Sequence, residues 1–182
     1  SLSEFLGDRV NPPTGPSLTS IAPNSATAGA AQFTLMLNGA NFASDAQVKW
    51  NTTDLVTTFV NANQVTAVVP AALIASAGSA TVTVLNVTDN LTSNGQTFTI
   101  NPAAPGITSF VPNTALVGVA TGAITITGTA LAGATVTVDG ISVTPTSNSA
   151  TQIVLPSQIF PLPGNKTVIV TTGGGSAISG WW

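Results

Sequence analysis

The chain has 182 residues, with three Lys or Arg and six Asp or Glu. Its three cations, Arg9, Lys49 and Lys166, stand far apart; displacing counterions from phosphates needs several together, so nucleic acid is excluded as a partner, and a polybasic membrane-surface site with it. The absence of Cys, His and Tyr removes disulfides, thiolate and imidazole metal sites, and Ser-His-Asp or Cys-His catalysis within the chain.

Globular domains usually carry about a quarter charged residues. Here Thr, Ser, Asn and Gln keep the surface wet instead, as in many exported β-proteins. No run of 18 apolar residues is present, so no membrane insertion is expected. The chain starts at Ser1 without Met, which fits either a mature exported product after signal removal or a trimmed piece.

The first segment, Ser1 to Gly15, holds Leu2, Phe5, Leu6 and Val10 together with Glu4, Asp8 and Arg9. Its apolar spacing suits a short helix as well as a strand, and Pro12-Pro13 make a stiff tether. From Ser17 the chain begins to repeat itself. SLTSIAPNSATAG from Ser17 returns as GITSFVPNTALVG from Gly106, 89 residues later. The same offset sets Leu35, Leu37 and Gly39 against Ile124, Ile126 and Gly128. Val48 and Trp50 then meet Val136 and Val138, Gln64-Val65 meets Gln152-Ile153, and Thr81-Val82 meets Thr167-Val168.

Each copy reads as strands. FTLMLN, ATVTVLN, QTFTI, ITIT, ATVTVDG and KTVIVTT alternate apolar and polar residues with the period of a half-buried strand. Gly, Asn and Pro punctuate them at short intervals. Apart from the first segment, only AALIAS from Ala71 reads as helical. Short, evenly spaced strands predict an all-β chain of two tandem immunoglobulin-like β-sandwiches behind an N-terminal extension. The expected boundaries are 1–15 for the extension, 16–102 for domain 1 and 103–182 for domain 2.

The repeats also resemble a known family. The run from Pro16 to Gly29, and again from Pro105 to Gly118, resembles the pattern P-x-I-x-x-I-x-P-x-x-g-x-x-G with which IPT/TIG immunoglobulin-like domains open. LNGANF and ITGTAL follow, then VKW and VTV, then Gln64 to Pro70 and Gln152 to Pro156, then a T-V-x-V strand in each copy. The ordered series, found twice, is the specific signal. The resemblance implies the sandwich fold. It also implies a place among exported adhesins, filaments or accessory parts of polysaccharide-degrading enzymes, since the basic patch of DNA-binding members is missing here.

The copies differ at their ends. Domain 1 closes with Phe98 and Ile100 on a last strand, whereas the same offset in domain 2 leaves Trp181 and Trp182 where that strand should begin. The last strand of domain 2 is therefore expected to be incomplete, exposing an edge and an apolar slot. Three occupants are open: sequence of a longer protein, Trp181-Trp182 themselves, or a strand from another copy. An extra segment at one end and an open strand at the other would join head to tail and propagate. Leu2, Phe5, Leu6, Val10, Trp181 and Trp182 are the candidate subunit-interface residues.

Other candidates carry plainer readings. Asp45, Asp54, Asp89 and Asp139 fall at predicted turns, where Asp caps its own backbone, and no pair suits a glycosidase. No Ca²⁺-loop motif is present, so no catalytic residue, metal or cofactor is expected. Trp50 could stack on a sugar, but its alternation with Val48 predicts a core position. Sequons stand at Asn51, Asn86, Asn90 and Asn165, and Gly173 to Gly175 reads as a hairpin turn. The functional expectation is a non-enzymatic subunit of an extracellular filament or surface appendage. The alternative is a spacer, adhesion or carbohydrate-binding module of a larger secreted protein, with a surface glycan or another surface protein as partner.

Overall fold

Alternating apolar and polar residues arrange the chain as strands throughout the computed structural model, which describes residues 14–181. Leu2, Phe5, Leu6, Val10 and Trp182 lie outside the described residues. The chain divides into two units, with the boundary between Asn101 and Pro102.

Unit 1 consists of two sheets. The first contains β1 (Ser17–Ala22), β3 (Phe33–Ala40), β6 (Val56–Asn61) and β7 (Gln64–Val69), in the order β1-β3-β7-β6. The second contains β2 (Ser25–Thr27), β4 (Ala46–Trp50), β5 (Thr53–Asp54), β8 (Gly78–Asn86) and β10 (Gln96–Asn101), in the order β2-β10-β8-β4-β5, with β9 (Leu91–Thr92) also on β8. The pairings are antiparallel except that of β10 with β2.

The alternation decides which side of each strand is buried. Leu35 and Leu37, then Val65, Ala67 and Val69, point inward from the first sheet; Val48, Trp50, Val82, Val84, Phe98 and Ile100 do so from the second. Phe98 stacks on Phe33 with ring centroids 5.6 Å apart and lies 4.9 Å from Trp50. Trp50 is 3% exposed, so it is a core residue and not a sugar platform. The AALIAS segment forms a 3-10 turn over Ala71–Ile74, which seats Ile74 in the core.

Unit 2 is built on the same plan. One sheet holds β11 (Gly106–Val111), β12 (Ile124–Thr129), β15 (Ser147–Asn148) and β16 (Gln152–Leu155), in the order β11-β12-β16-β15. The other holds β13 (Thr135–Val138), β14 (Ile141–Val143), β17 (Lys166–Thr172) and β18 (Gly175–Trp181), in the order β14-β13-β17-β18. Ile124, Ile126, Val136, Val138, Ile153, Leu155, Val168 and Val170 form its core, at positions the repeat matches to buried residues of unit 1.

The last strand of unit 2 corrects the sequence reading. β18 forms and pairs with β17 along its whole length, from Thr172↔Gly175 to Lys166↔Trp181. The reason is the turn. Gly173-Gly174 closes this hairpin in two residues, whereas unit 1 spends Val87–Asn90 on the turn and Ser93–Gly95 on a break between β9 and β10. A constant offset ignores those residues. Trp181 lies opposite Lys166 as Phe98 lies opposite Ala80, so Trp181 occupies the Phe98 position rather than the start of the strand.

One close approach recurs in both units. β1 and β3 shift register between Leu18 and Ser20, and β11 and β12 do so between Ile107 and Ser109. Gly39 and Gly128 sit there, and a Cβ on either would run into the backbone carbonyl of Ser17 or Gly106. Backbone cannot give way as a flexible side chain does. Gly39→Ala and Gly128→Ala are therefore each expected to destabilise their own unit by about 1–3 kcal/mol, the usual cost of overpacking, measurable as a lowered urea midpoint.

Candidate functional site: an open cleft at the end of the last strand

In unit 1 the last strand continues past Phe98. Ile100 sits between two neighbours, opposite Gly78 on β8 and beside Ala26 on β2, and it is 6% exposed. Asn101 lies beside Thr27, and its carbonyl accepts a hydrogen bond from the Ala28 amide at 2.8 Å.

In unit 2 the described part of β18 stops at Trp181. The repeat matches Ala26, Ala28 and Gly78 to Ala115, Val117 and Gly164, and these three line an open cleft of about 200 Å³. Phe160 and Trp181 form its aromatic wall, with centroids 5.1 Å apart and planes at 67°. Such edge-to-face packing sets the positive edge of one ring against the negative face of the other. The rim is apolar and open: Leu116 is 74% and Leu162 69% exposed.

Trp181 itself is 2% exposed, and its indole N–H donates to the Pro112 carbonyl at 2.8 Å. That bond satisfies the one polar atom that burial of the ring would otherwise strand. Trp181 thus faces the core, with one edge in the cleft wall. The Lys166 ammonium lies 5.4 Å from the Phe160 centroid and 3.4 Å from an Asp139 carboxylate oxygen. The loop beneath is tied down by Gly118 N–H to Phe160 O at 2.9 Å and by Thr121 N–H to Gln158 O at 2.9 Å.

The described carboxylates do not converge here. Asp45, Asp89 and Asp139 occupy turns, as expected, while Asp54 lies on β5, paired with Lys49. Among the described residues no three His, Cys, Asp or Glu side chains are placed to hold a metal ion. Asp45 accepts from the Thr88 hydroxyl and amide, which hold its carboxyl below the usual range. Asp139, at positive φ, accepts from the Thr167 amide at 2.8 Å, as Asn51 accepts from Thr81 at 2.9 Å in unit 1. No described helix is long and apolar enough to cross a membrane.

One of the six candidate interface residues is described: Trp181 is placed in the cleft wall, while Leu2, Phe5, Leu6, Val10 and Trp182 lie outside the described residues. Phe160, Ala115, Leu116 and Gly164 were not singled out from the sequence. The signal for them was the repeat itself, which matches three of them to Ile74, Ala26 and Gly78, the surroundings of Ile100.

Truncating Trp181 to Ala removes a buried indole. The expected cost is about 3–5 kcal/mol in unit 2, with unit 1 amides unaffected in hydrogen exchange. The Asp139 carboxyl is held below its ordinary value of 3.8, first by the Thr167 amide and then by Lys166. A depressed carboxylate stabilises the fold above its unfolded-state pKa, and that contribution is lost as pH falls through the folded-state value. Asp139→Asn, which keeps the acceptor, should therefore flatten the fall of unit 2 stability below about pH 4, read from melting curves across that range.

Comparison with curated proteins finds none that matches the chain. Among solved structures, the surface glycan-binding protein PbSGBP-B of Prevotella bryantii is similar, with 19% identity and a TM-score of 0.60 over 92% of this chain and 42% of that one. The adhesin InvE of Yersinia pseudotuberculosis is similar at 15% identity and a TM-score of 0.52, over 91% of this chain and 58% of that one. The chain therefore spans about half the length of these proteins, and at such identities the likeness is one of fold. The IPT/TIG domain model matches residues 16–100. The β-sandwich of unit 1 belongs to the IPT/TIG domain family.

Proposed function

We propose that the chain is a non-catalytic scaffold segment of an extracellular surface protein, a spacer that carries adhesive or binding parts. The observation that carries this is what the residues are spent on. Each unit buries aromatic and aliphatic side chains in a sandwich core, Asp45 and Asp139 accept from backbone amides at turns, and Asp54 pairs with Lys49. The surface has few charges, which suits a passive segment with little electrostatic steering. The likeness to PbSGBP-B, a surface glycan-binding protein, and to InvE, an adhesin, supports the surface setting.

A surface glycan is the partner to which the likeness to PbSGBP-B, a surface glycan-binding protein, lends support, though not through the described tryptophans. Sugar rings stack on exposed aromatic faces, and Trp50 and Trp181 are both buried. Tyr is absent from the sequence.

A second reading is favoured by the cleft of unit 2. A head-to-tail filament or appendage subunit would bring residues 1–15 of one copy to unit 2 of the next, with Leu2, Phe5, Leu6 and Val10 against the Trp181-Trp182 end. Sedimentation and electron microscopy of the chain, with and without residues 1–13, separate the two. The scaffold reading expects a monomer in both cases. Filaments that vanish on removal of residues 1–13 would overturn it in favour of the assembly.

A further inference from the structure

Asn-Gly occurs at Asn38-Gly39 and at Asn94-Gly95, and the fold treats the two pairs differently. Asn38 lies in β3, an inner strand flanked by β1 and β7. Its Oδ1 accepts from the Gln64 side-chain amide at 2.9 Å, and the Gly39 N–H donates to the Asn63 carbonyl at 2.9 Å. Asn94 and Gly95 instead lie in the break between β9 and β10, and both are exposed. The Gly95 amide has no backbone acceptor among the described residues.

Asn94 holds the edge of the opposite sheet. β1 stands at one end of the order β1-β3-β7-β6, and Asn94 grips it with both ends of its side-chain amide. Its Oδ1 accepts from the Leu18 N–H at 2.8 Å, and its Nδ2 donates to the Leu18 carbonyl at 2.8 Å. Gln96 Nε2 donates to the same carbonyl at 3.2 Å and to that of Thr19 at 3.3 Å. This grip falls where the pairing of β1 with β3 shifts register, between Leu18 and Ser20. Unit 2 has no counterpart. Counting back from Trp181 as from Phe98, Ala177 and Ser179 stand at the places of Asn94 and Gln96, and neither carries an amide side chain.

We propose that Asn94-Gly95 is a site of spontaneous deamidation, and that its conversion releases β1 from the second sheet. The Gly95 nitrogen attacks Asn94 Cγ, the Cγ–Nδ2 bond breaks, and the side-chain nitrogen leaves as ammonia with the proton of the Gly95 amide. The product is a cyclic imide. One water then opens it, at Cγ to give aspartate or at the main-chain carbonyl carbon to give isoaspartate. Glycine lacks the Cβ that would hinder the approach. The Leu18 N–H already points at Oδ1, where negative charge develops during the attack. At Asn38 the same attack must break two hydrogen bonds of an inner strand, so it waits on opening of the sheet.

The products cannot keep the grip. A carboxylate only accepts, so aspartate sets an oxygen against the Leu18 carbonyl where an N–H now donates. Isoaspartate reroutes the main chain through Cγ and shortens the side chain that reached β1. The site belongs to one strand of unit 1 and stands apart from the scaffold reading.

The test ages the full chain for weeks in warm, mildly alkaline buffer and follows both Asn-Gly pairs by peptide mass mapping. Asn94 is expected to convert, to a mixture of aspartate and isoaspartate, at least about tenfold faster than Asn38, the difference set by strand opening. An Asn94 that stays intact, or converts no faster than Asn38, would overturn the site. Asn94→Asp carries one product from the start. It should lower the unit 1 melting transition by several degrees and speed exchange of the β1 amides by about tenfold, as expected for a lost donor, with unit 2 unchanged. Unchanged β1 exchange in both this variant and the aged chain would overturn the release of β1.

Discussion

The inward aromatic side chain of the last strand closes each sandwich. In unit 1, Phe98 lies against Phe33 from the opposite sheet and Trp50 from its own, so a single ring joins both layers. In unit 2, Trp181 takes that place, packs edge-on to Phe160 and anchors its N–H on Pro112. A sandwich coheres only if its final strand brings such a group to the gap between the sheets. Turn length, strand register and the size of the aromatic residue are all adjusted to deliver it.

The two units solve the same packing problem with different materials. Unit 1 uses a four-residue turn, a break in the strand and a Phe, and then has three further residues in pairing, Thr99 to Asn101. Unit 2 uses a glycine turn and a Trp, whose indole N–H is satisfied by the Pro112 carbonyl. Exposed apolar side chains accordingly gather at that end of unit 2, where Leu116, Val117 and Leu162 surround the cleft. Contiguous apolar surface of this kind on a folded domain usually marks a contact. Much of the rest of the described surface is Thr, Ser and Asn, suited to a scaffold.

The αL turn shared by Asn51 and Asp139 shows how a repeat can diverge without altering its geometry. Both residues sit at positive φ, both accept from an amide of the strand paired with the one they follow, β8 or β17, and both are tolerated there because Asn and Asp visit that conformation more readily than other residues with a Cβ. The carboxylate in unit 2 adds an ion pair with Lys166 and a dependence on acid that the amide of unit 1 lacks.

Much of the fold was legible in the sequence because burial in a half-buried strand has a period of two, and FTLML, VKW, ITIT and TVTV display it without ambiguity. The duplicated Gly39 and Gly128, and the core place of Trp50 beside its counterpart Val138, followed from the same repeat. What the sequence could not determine was the phase of the last strand. A hairpin of two residues and one of four differ by where every later side chain falls, and only the backbone pairing of Gly175 with Thr172 decides between them. That pairing moved Trp181 from the presumed start of a missing strand to the core position of Phe98. The cleft beside it is visible only once Ala115, Gly164, Phe160 and Trp181, distant in sequence, stand around the same space.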